Sequence, residues 1–254
     1  MLRFLPIIAS EARVGMNEND KSRKVREMFG EIAGRYDFLN HLLSANTDRR
    51  WRRVCVREVR RRTAVAAPRI LDVGCGTGDL SLAFSSLGPV VGCDFCHPML
   101  RVSSRKLRSV AGARSLSLLG ADALSLPFAD ASFDVAASAF VLRNLADMDR
   151  GLAEMRRVLR PGGVLGILEF GMPRIPLLST AYRFYFLRVL PRVGKMLSGV
   201  DGPYGYLPAS VQSFPPAGEL KKKAEQAGFD RVECKLLTGG IAVLLLGSAA
   251  SGAP

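Results

Sequence analysis

The chain has 254 residues, 48% of them hydrophobic, and a formal charge of +13. That length can bury a full core, as one large domain or as a domain with an extension. Its apolar runs fall short of the roughly eighteen residues a membrane span needs. Its five scattered cysteines, an odd number, indicate a reducing, cytoplasmic setting with no disulfide framework.

The first nine residues are too short and too proline-broken for a signal peptide, and Met16 offers a second start. Residues 1–23 are expected to be a disordered leader, and 24–66 a helical extension. A helical pattern begins at Lys24 and runs on to Asn40. A second covers Asp48 to Arg62, with Trp51, Val54, Cys55 and Val59 at helical spacing. Arg49, Arg53, Arg57 and Arg60 form a stripe on that helix. The stripe is open between a solvated face and a surface for an anionic partner.

From Pro68 strands and helices alternate, with strands at 69–73, 90–94, 115–119, 133–139 and 164–170. Such alternation implies a parallel sheet covered on both faces. A helix over Asp149 to Leu159 stops at Arg160-Pro161-Gly162-Gly163, and another over Ala217 to Ala227 is closed by Gly228. Strands at 231–237 and 240–247 are joined through Thr238-Gly239-Gly240, a turn so short that the last strand must run antiparallel. The alternating domain is expected to occupy 67–250. Within it, 171–215 breaks the alternation with clustered aromatics (Tyr182, Phe184, Tyr185, Phe186) and cations (Arg174, Arg183, Arg188, Arg192, Lys195). An insertion of that length and composition is expected to be a lid.

The functional signal is Asp72-Val73-Gly74-Cys75-Gly76-Thr77-Gly78, between the first strand and the next helix. Alternate glycines turn the backbone sharply and leave no Cβ between it and a ligand. The helix that follows aims its free N–H groups into the same turn. A dinucleotide site spaces its glycines as Gly-x-Gly-x-x-Gly, to seat a pyrophosphate. Here Asp72 at the strand end suits an ammonium or a ribose hydroxyl instead. S-adenosylmethionine has both groups and no phosphate. Asp94 ends the second strand, twenty-two residues after Asp72, where a carboxylate can hold ribose hydroxyls. Cys93 and Cys96 bracket it, but no second pair completes a zinc set, so no metal is expected.

These residues resemble a class I S-adenosylmethionine-dependent methyltransferase, a Rossmann-like α/β fold. That resemblance implies a mostly parallel seven-stranded sheet with an antiparallel last strand. Several further motifs are similar to those of the ubiquinone/menaquinone biosynthesis C-methyltransferases. They are Phe29-x-x-Ile32-Ala33-x-x-Tyr36-Asp37-x-x-Asn40 with Ser44 and Arg49-x-Trp51; Ala139-Phe140-Val141-Leu142-Arg143-Asn144; Leu168-Glu169-Phe170; Tyr206-Leu207-Pro208-x-Ser210; and Leu237-Thr238-Gly239-Gly240-Ile241. The resemblance adds Thr77, Asp122, Ala123 and Ala139 to the cofactor contacts. It departs from the family at Asn46 and Asp48, where glycine and histidine are usual, and at Val141, where glycine is usual.

The resemblance implies methylation of a ring carbon in a polyprenylated quinol, a substrate suited to an enzyme resting on an anionic membrane surface. Arg143 and Asn144, beyond the fourth strand, stand at the carboxyl edge where open α/β sheets bind ligands. Arg143 is expected to stabilise the substrate's phenolate or hold a water that takes its proton. Arginine itself stays charged and is no base. Tyr36 and Asp37 are open between a site role and a structural one, and His41 is a weak candidate base. A methyltransferase acting on a soluble small molecule is the alternative. No basic-and-aromatic strand face of the kind that binds single-stranded nucleic acid is present, so nucleic acid is not expected. A homo-oligomer is left open.

Overall fold

The computed structural model describes residues 20–110, 115–173, 176–190, 192–193, 196 and 203–250. Residues 1–19 of the expected leader, and Arg174 and Lys195 of the expected lid, lie outside the described residues. Three helices come first: α1 (Asp20–Ile32), α2 (Tyr36–Leu43) and α3 (Thr47–Arg62). Then follow β1 (Ile70–Val73), α4 (Asp79–Phe84), β2 (Val90–Asp94), α5 (His97–Arg108), β3 (Leu116–Gly120) and β4 (Phe133–Ala139). The chain continues through α6 (Met148–Val158), β5 (Leu159–Phe170), α7 (Pro176–Phe184) and α8 (Pro203–Gln212). It closes with α9 (Ala217–Gln226), β6 (Phe229–Leu237) and β7 (Ala242–Ala249).

The strands form one seven-stranded sheet in the order β3-β2-β1-β4-β5-β7-β6. The pairs from β3 to β5 are parallel. β7 is antiparallel to both β5 and β6. The expected reversed hairpin is therefore present, and its last strand inserts between β5 and β6.

Successive side chains of a strand face opposite ways, and both faces are covered. On one, Leu71, Leu165 and Leu245 pack with Leu152, Met155 and Val158 of α6 and Leu220 of α9. On the other, Ile70, Val135 and Leu244 pack with Cys55 and Val59 of α3 and Phe84 of α4. Each such side chain, fully removed from water, contributes about 1.5–3 kcal/mol.

The helical pattern from Lys24 to Asn40 is two helices. α1 starts earlier, at Asp20, and the chain breaks at Ala33-Gly34-Arg35. Gly34 is a weak helix former, as is Gly30 inside α1, and α2 restarts after it with Arg35 at its N-cap. β5 begins at Leu159, before the expected 164, and its register against β4 jumps from Phe133–Leu159 to Val135–Val164. The jump takes up Arg160–Gly163, with Gly162 at φ 76°.

Candidate active site

Two cavities open at the carboxyl edge of the parallel strands. The first is walled by Gly74 and Gly76, Asp94 at the end of β2, Asp122 and Ala123, and Ala139 and Asn144 beyond β4. Gly74 has φ 68°, and a Cβ there would lie 2.5 Å from a Val141 methyl, so only glycine fits. Asp94 organises the wall. Its Oδ2 accepts the Gly76 N–H at 2.8 Å and its Oδ1 the Cys96 N–H at 2.8 Å. Each oxygen keeps a lone pair for a ligand hydroxyl. Burial raises the Asp94 carboxyl above its ordinary range, against those two amide bonds. The Asp122 side chain accepts the Leu124 N–H at 2.9 Å. The Asn144 Oδ1 is buried with no hydrogen-bond partner among the described residues.

Ser22, Val25 and Phe29 of α1 also line this cleft. Lys21 donates to the Leu145 carbonyl at 2.5 Å and fastens α1 there. The cleft encloses about 730 Å³ including its mouth, but a water-sized body clears its walls over only about 80 Å³. Ligand pockets run to about 300 Å³ and more.

Phe29, Tyr36 and Phe140 line both cavities, so the two meet there. In the second, a water-sized body has about 520 Å³. Its walls are largely aromatic, with Trp51 of α3, Phe170 at the end of β5, and Tyr182 and Phe186 of the 171–215 segment. Phe140 holds φ 64°, a backbone state costing about 1–2 kcal/mol for a residue with a Cβ. Its N–H donates to the Leu168 carbonyl at 2.7 Å and its ring stacks on Phe170 at 4.4 Å. That turn sends Arg143 into the second cavity and Asn144, the next residue, into the first. Arg143 Nη1 donates to Glu169 Oε2 at 2.8 Å, and its guanidinium lies 5.3 Å from the Phe170 ring centre. Glu169 is fully buried, and burial raises its carboxyl against the pull of Arg143.

A model described as the ubiE/COQ5 methyltransferase family matches residues 16–248. The chain belongs to that family. It is 48% identical to the "Demethylmenaquinone methyltransferase" of Thermus thermophilus, over 87% of this chain and 99% of the relative. It is 42% identical to the "Ubiquinone/menaquinone biosynthesis C-methyltransferase UbiE" of a Geobacter species, over 91% and 98%. Among solved structures, a "SAM dependent methyltransferase" from Aquifex aeolicus superposes with a TM-score of 0.56. It is 19% identical, over 77% of this chain and 89% of that one, and shares the fold. This ubiE/COQ5 methyltransferase has the Rossmann-like class I fold, and S-adenosylmethionine is its methyl donor.

Gly74, Gly76, Asp94, Asp122, Ala123, Ala139 and Asn144 line one cleft together. Tyr36 stands at its junction with the cavity that holds Arg143. Asp72, Thr77 and Gly78 line neither cavity. Asp72 is buried behind the loop, where it accepts the Ser81 hydroxyl at 2.5 Å. Burial is the main cause that pushes its carboxyl up to about 7. Thr77 donates to Asp37, which also takes Lys106 at 2.7 Å, so Asp37 braces the glycine loop from α2. Ser138 donates to the Val73 carbonyl at 2.8 Å and points away from the cleft that Ala139 lines. Val141 has φ −113°, open to any residue, and its bulk narrows the first cleft.

Motif reading missed Asp48 and Arg52, which line the second cavity on α3. Asp48 accepts from His41 Nδ1 and Ser44 Oγ, each at 2.8 Å, and from Arg52. Those bonds and the Arg52 charge outweigh burial and hold its carboxyl below the usual range. The signal was in the sequence: Asp48 and Arg52 are four apart, on the same helix face as buried Trp51 and Cys55. His41, Asp48 and Asp79 are close enough to share a metal ion. Arg52 and Lys106 already pair with these carboxylates, so the cluster is an ion-pair network.

Proposed function

We propose that this methyltransferase adds a methyl group to a ring carbon of a polyprenylated naphthoquinol, working against an anionic membrane surface. The observation that carries the reading is the junction at Tyr36 and Phe140. There an acid-walled cleft meets an aromatic cavity with a buried guanidinium in its wall. The names of both relatives above include the menaquinone ring, which favours the naphthoquinol over a benzoquinol.

The cofactor residues fit a nucleoside bearing an amino acid. The Asp94 carboxylate would take the ribose hydroxyls, and the partnerless Asn144 oxygen would take the ammonium. The Asp122 side chain and the Ala123 N–H would take the adenine edge. Asp72 acts from behind the loop, as a buried charge beneath the glycines. Thr77 acts through its bond to Asp37. When bound, the cofactor supplies a methyl group already activated by its sulfonium.

The protein's remaining tasks are to orient the ring and to stabilise its phenolate. Phe140, Phe170 and Trp51 form flat walls for a bicyclic ring. Arg143, held by Glu169, faces the phenolate oxygen or the water that removes its proton. Tyr36 sits where ring and methyl group meet. Asp37 is committed to Thr77 and Lys106 and serves as a brace.

Leu42 lines the second cavity and is still 49% exposed, so it marks a mouth. Phe38 on α2 and Phe184 and Leu187 of the 171–215 segment are exposed as well. Arg183, Arg188 and Arg192 are exposed on that same segment. Apolar tips among cations suit an anionic lipid surface from which the prenyl tail enters. Among the described residues no helix is long and apolar enough to cross a membrane.

Mass spectrometry of lipids from cells with and without the gene tests the reading. A naphthoquinone lacking one methyl group in the deletion is expected. A benzoquinone losing it, or unchanged quinones, would refute it.

A further inference from the structure

Two residues that line the second cavity each carry a buried polar atom with no hydrogen-bond partner among the described residues. The atoms are Nε of Arg143 and the phenolic oxygen of Tyr206. They arrive from different elements. Arg143 stands on the turn after β4, its Nη1 already committed to Glu169 at 2.8 Å. Tyr206 stands on α8, in the segment between β5 and α9, and α8 packs directly on that turn. The Arg143 charge reaches the Tyr206 phenol, although burial is the larger influence and holds it above its ordinary value. Tyr206 therefore keeps its proton at neutral pH and is a donor.

Two other buried polar side chains of this cavity are occupied. Asp48 accepts from three side chains, and Trp51 Nε1 donates to Thr238 Oγ1 at 2.8 Å. Native structures rarely leave buried donors unused. Two on residues lining one cavity, one of them on a cation, call for an anionic oxygen.

We propose that Tyr206 is a catalytic residue: its O–H and the Nε–H of Arg143 donate to one ring oxygen of the substrate and carry the charge that oxygen gains as a phenolate. The balance is simple. The ring hydroxyl loses its proton to solvent, a carbon–carbon bond forms as the sulfur–methyl bond breaks, the methylated carbon releases its own proton to restore the aromatic ring, and the ring oxygen regains a proton from solvent. Tyr206 gives up no proton at any step. Because it comes from α8, the pair of donors is complete only with that helix seated, which links phenolate formation to closure of the cavity over the substrate.

The inference rests on the quinol reading for the identity of the ring, but any phenol reports on the donors. Tyr206→Phe removes one hydroxyl and keeps the ring in place. A coloured phenol, 4-nitro-1-naphthol, titrated by absorbance in the presence of saturating protein gives the acidity of the bound hydroxyl. The parent should increase that acidity about tenfold or more, as a neighbouring cation does. Tyr206→Phe should lose a clear part of the increase. In single turnover with a prenylated naphthoquinol, the variant should transfer methyl about 10- to 100-fold more slowly at unchanged cofactor affinity. Equal acidity of the bound phenol in parent and variant would overturn the proposal, and so would an equal single-turnover rate. A parent enzyme inert toward the quinol would count against the substrate reading alone, and the phenol titration would then decide the role of Tyr206.

Discussion

Asp72 offers a quantitative test of how the glycine loop is built. Its carboxylate is 1% exposed, accepts only the Ser81 hydroxyl from a side chain, and leaves Oδ1 without a partner among the described residues. Burial pushes it up to about 7 from 3.8. A carboxyl raised in the folded state binds more protons folded than unfolded, so stability falls as pH rises between about 4 and 7. At 1.36 kcal/mol per pH unit, that rise costs the ligand-free protein about 4 kcal/mol at pH 8 and about 2 kcal/mol at pH 5. Asp72→Asn removes the charge and keeps the Ser81 bond, while its new N–H₂ is left unpaired at about 1–3 kcal/mol. That penalty is the same at both pH values and cancels in the difference. Urea unfolding of parent and variant at pH 5 and pH 8 should show the variant gaining about 2 kcal/mol more at the higher pH. A stability difference that does not change between these pH values would refute the assignment of a buried, strained charge. The same substitution should weaken cofactor binding, because the charge beneath the loop is lost.

Asp94→Asn should weaken S-adenosylmethionine binding by about 1–3 kcal/mol in calorimetric titration. Asp94→Ala should also lose stability, since it leaves the Gly76 and Cys96 amides without their acceptor; unchanged affinity in both would remove the ribose role. Arg143→Ala should slow the single-turnover methyl transfer about 10²-fold or more. Arg143→Lys should recover little, because a compact ammonium cannot both hold Glu169 and present a second donor as the guanidinium does. Transfer at the parent rate with only a raised KM would make Arg143 a binding residue. Arg183→Glu with Arg188→Glu should reduce flotation with anionic liposomes, each lost cation being worth about 1 kcal/mol. Cofactor affinity should be unchanged, and flotation equal to the parent's would move the membrane contact elsewhere, first to the exposed Arg49, Arg53, Arg57 and Arg60 of α3.

The sheet was legible because its strands are mostly short apolar runs between breakers, Gly228 among them. Thr238-Gly239-Gly240, all at positive φ, enforces the reversal before β7. The grouping of residues in the first cleft was legible for a related reason: several sit at strand ends, where local pattern predicts position. The burial of Asp72 was not legible, because a carboxylate at the end of β1 looks exposed in sequence while the loop that follows folds over it. Asp37 was not legible either, for a different reason. It lies next to Tyr36 in sequence, but adjacent residues on a helix face different directions, and only Tyr36 reaches the cavities. Arg52 and Glu169 could not be read as site residues from charge alone. An arginine in an arginine-rich helix looks solvated, and Glu169 becomes the anchor of Arg143 only when β5 lies beside β4. The break at Gly34 was visible in propensity but was outweighed by the apolar pattern on either side.

The most direct test of the central claim is chemical. Purified protein, S-adenosylmethionine carrying a deuterated methyl group and a prenylated demethylnaphthoquinol are combined under reducing conditions, and the product is analysed by mass spectrometry and NMR. One deuterated methyl bonded to a ring carbon is the predicted result. A methyl found on oxygen, or transfer only to unprenylated phenols, would contradict it.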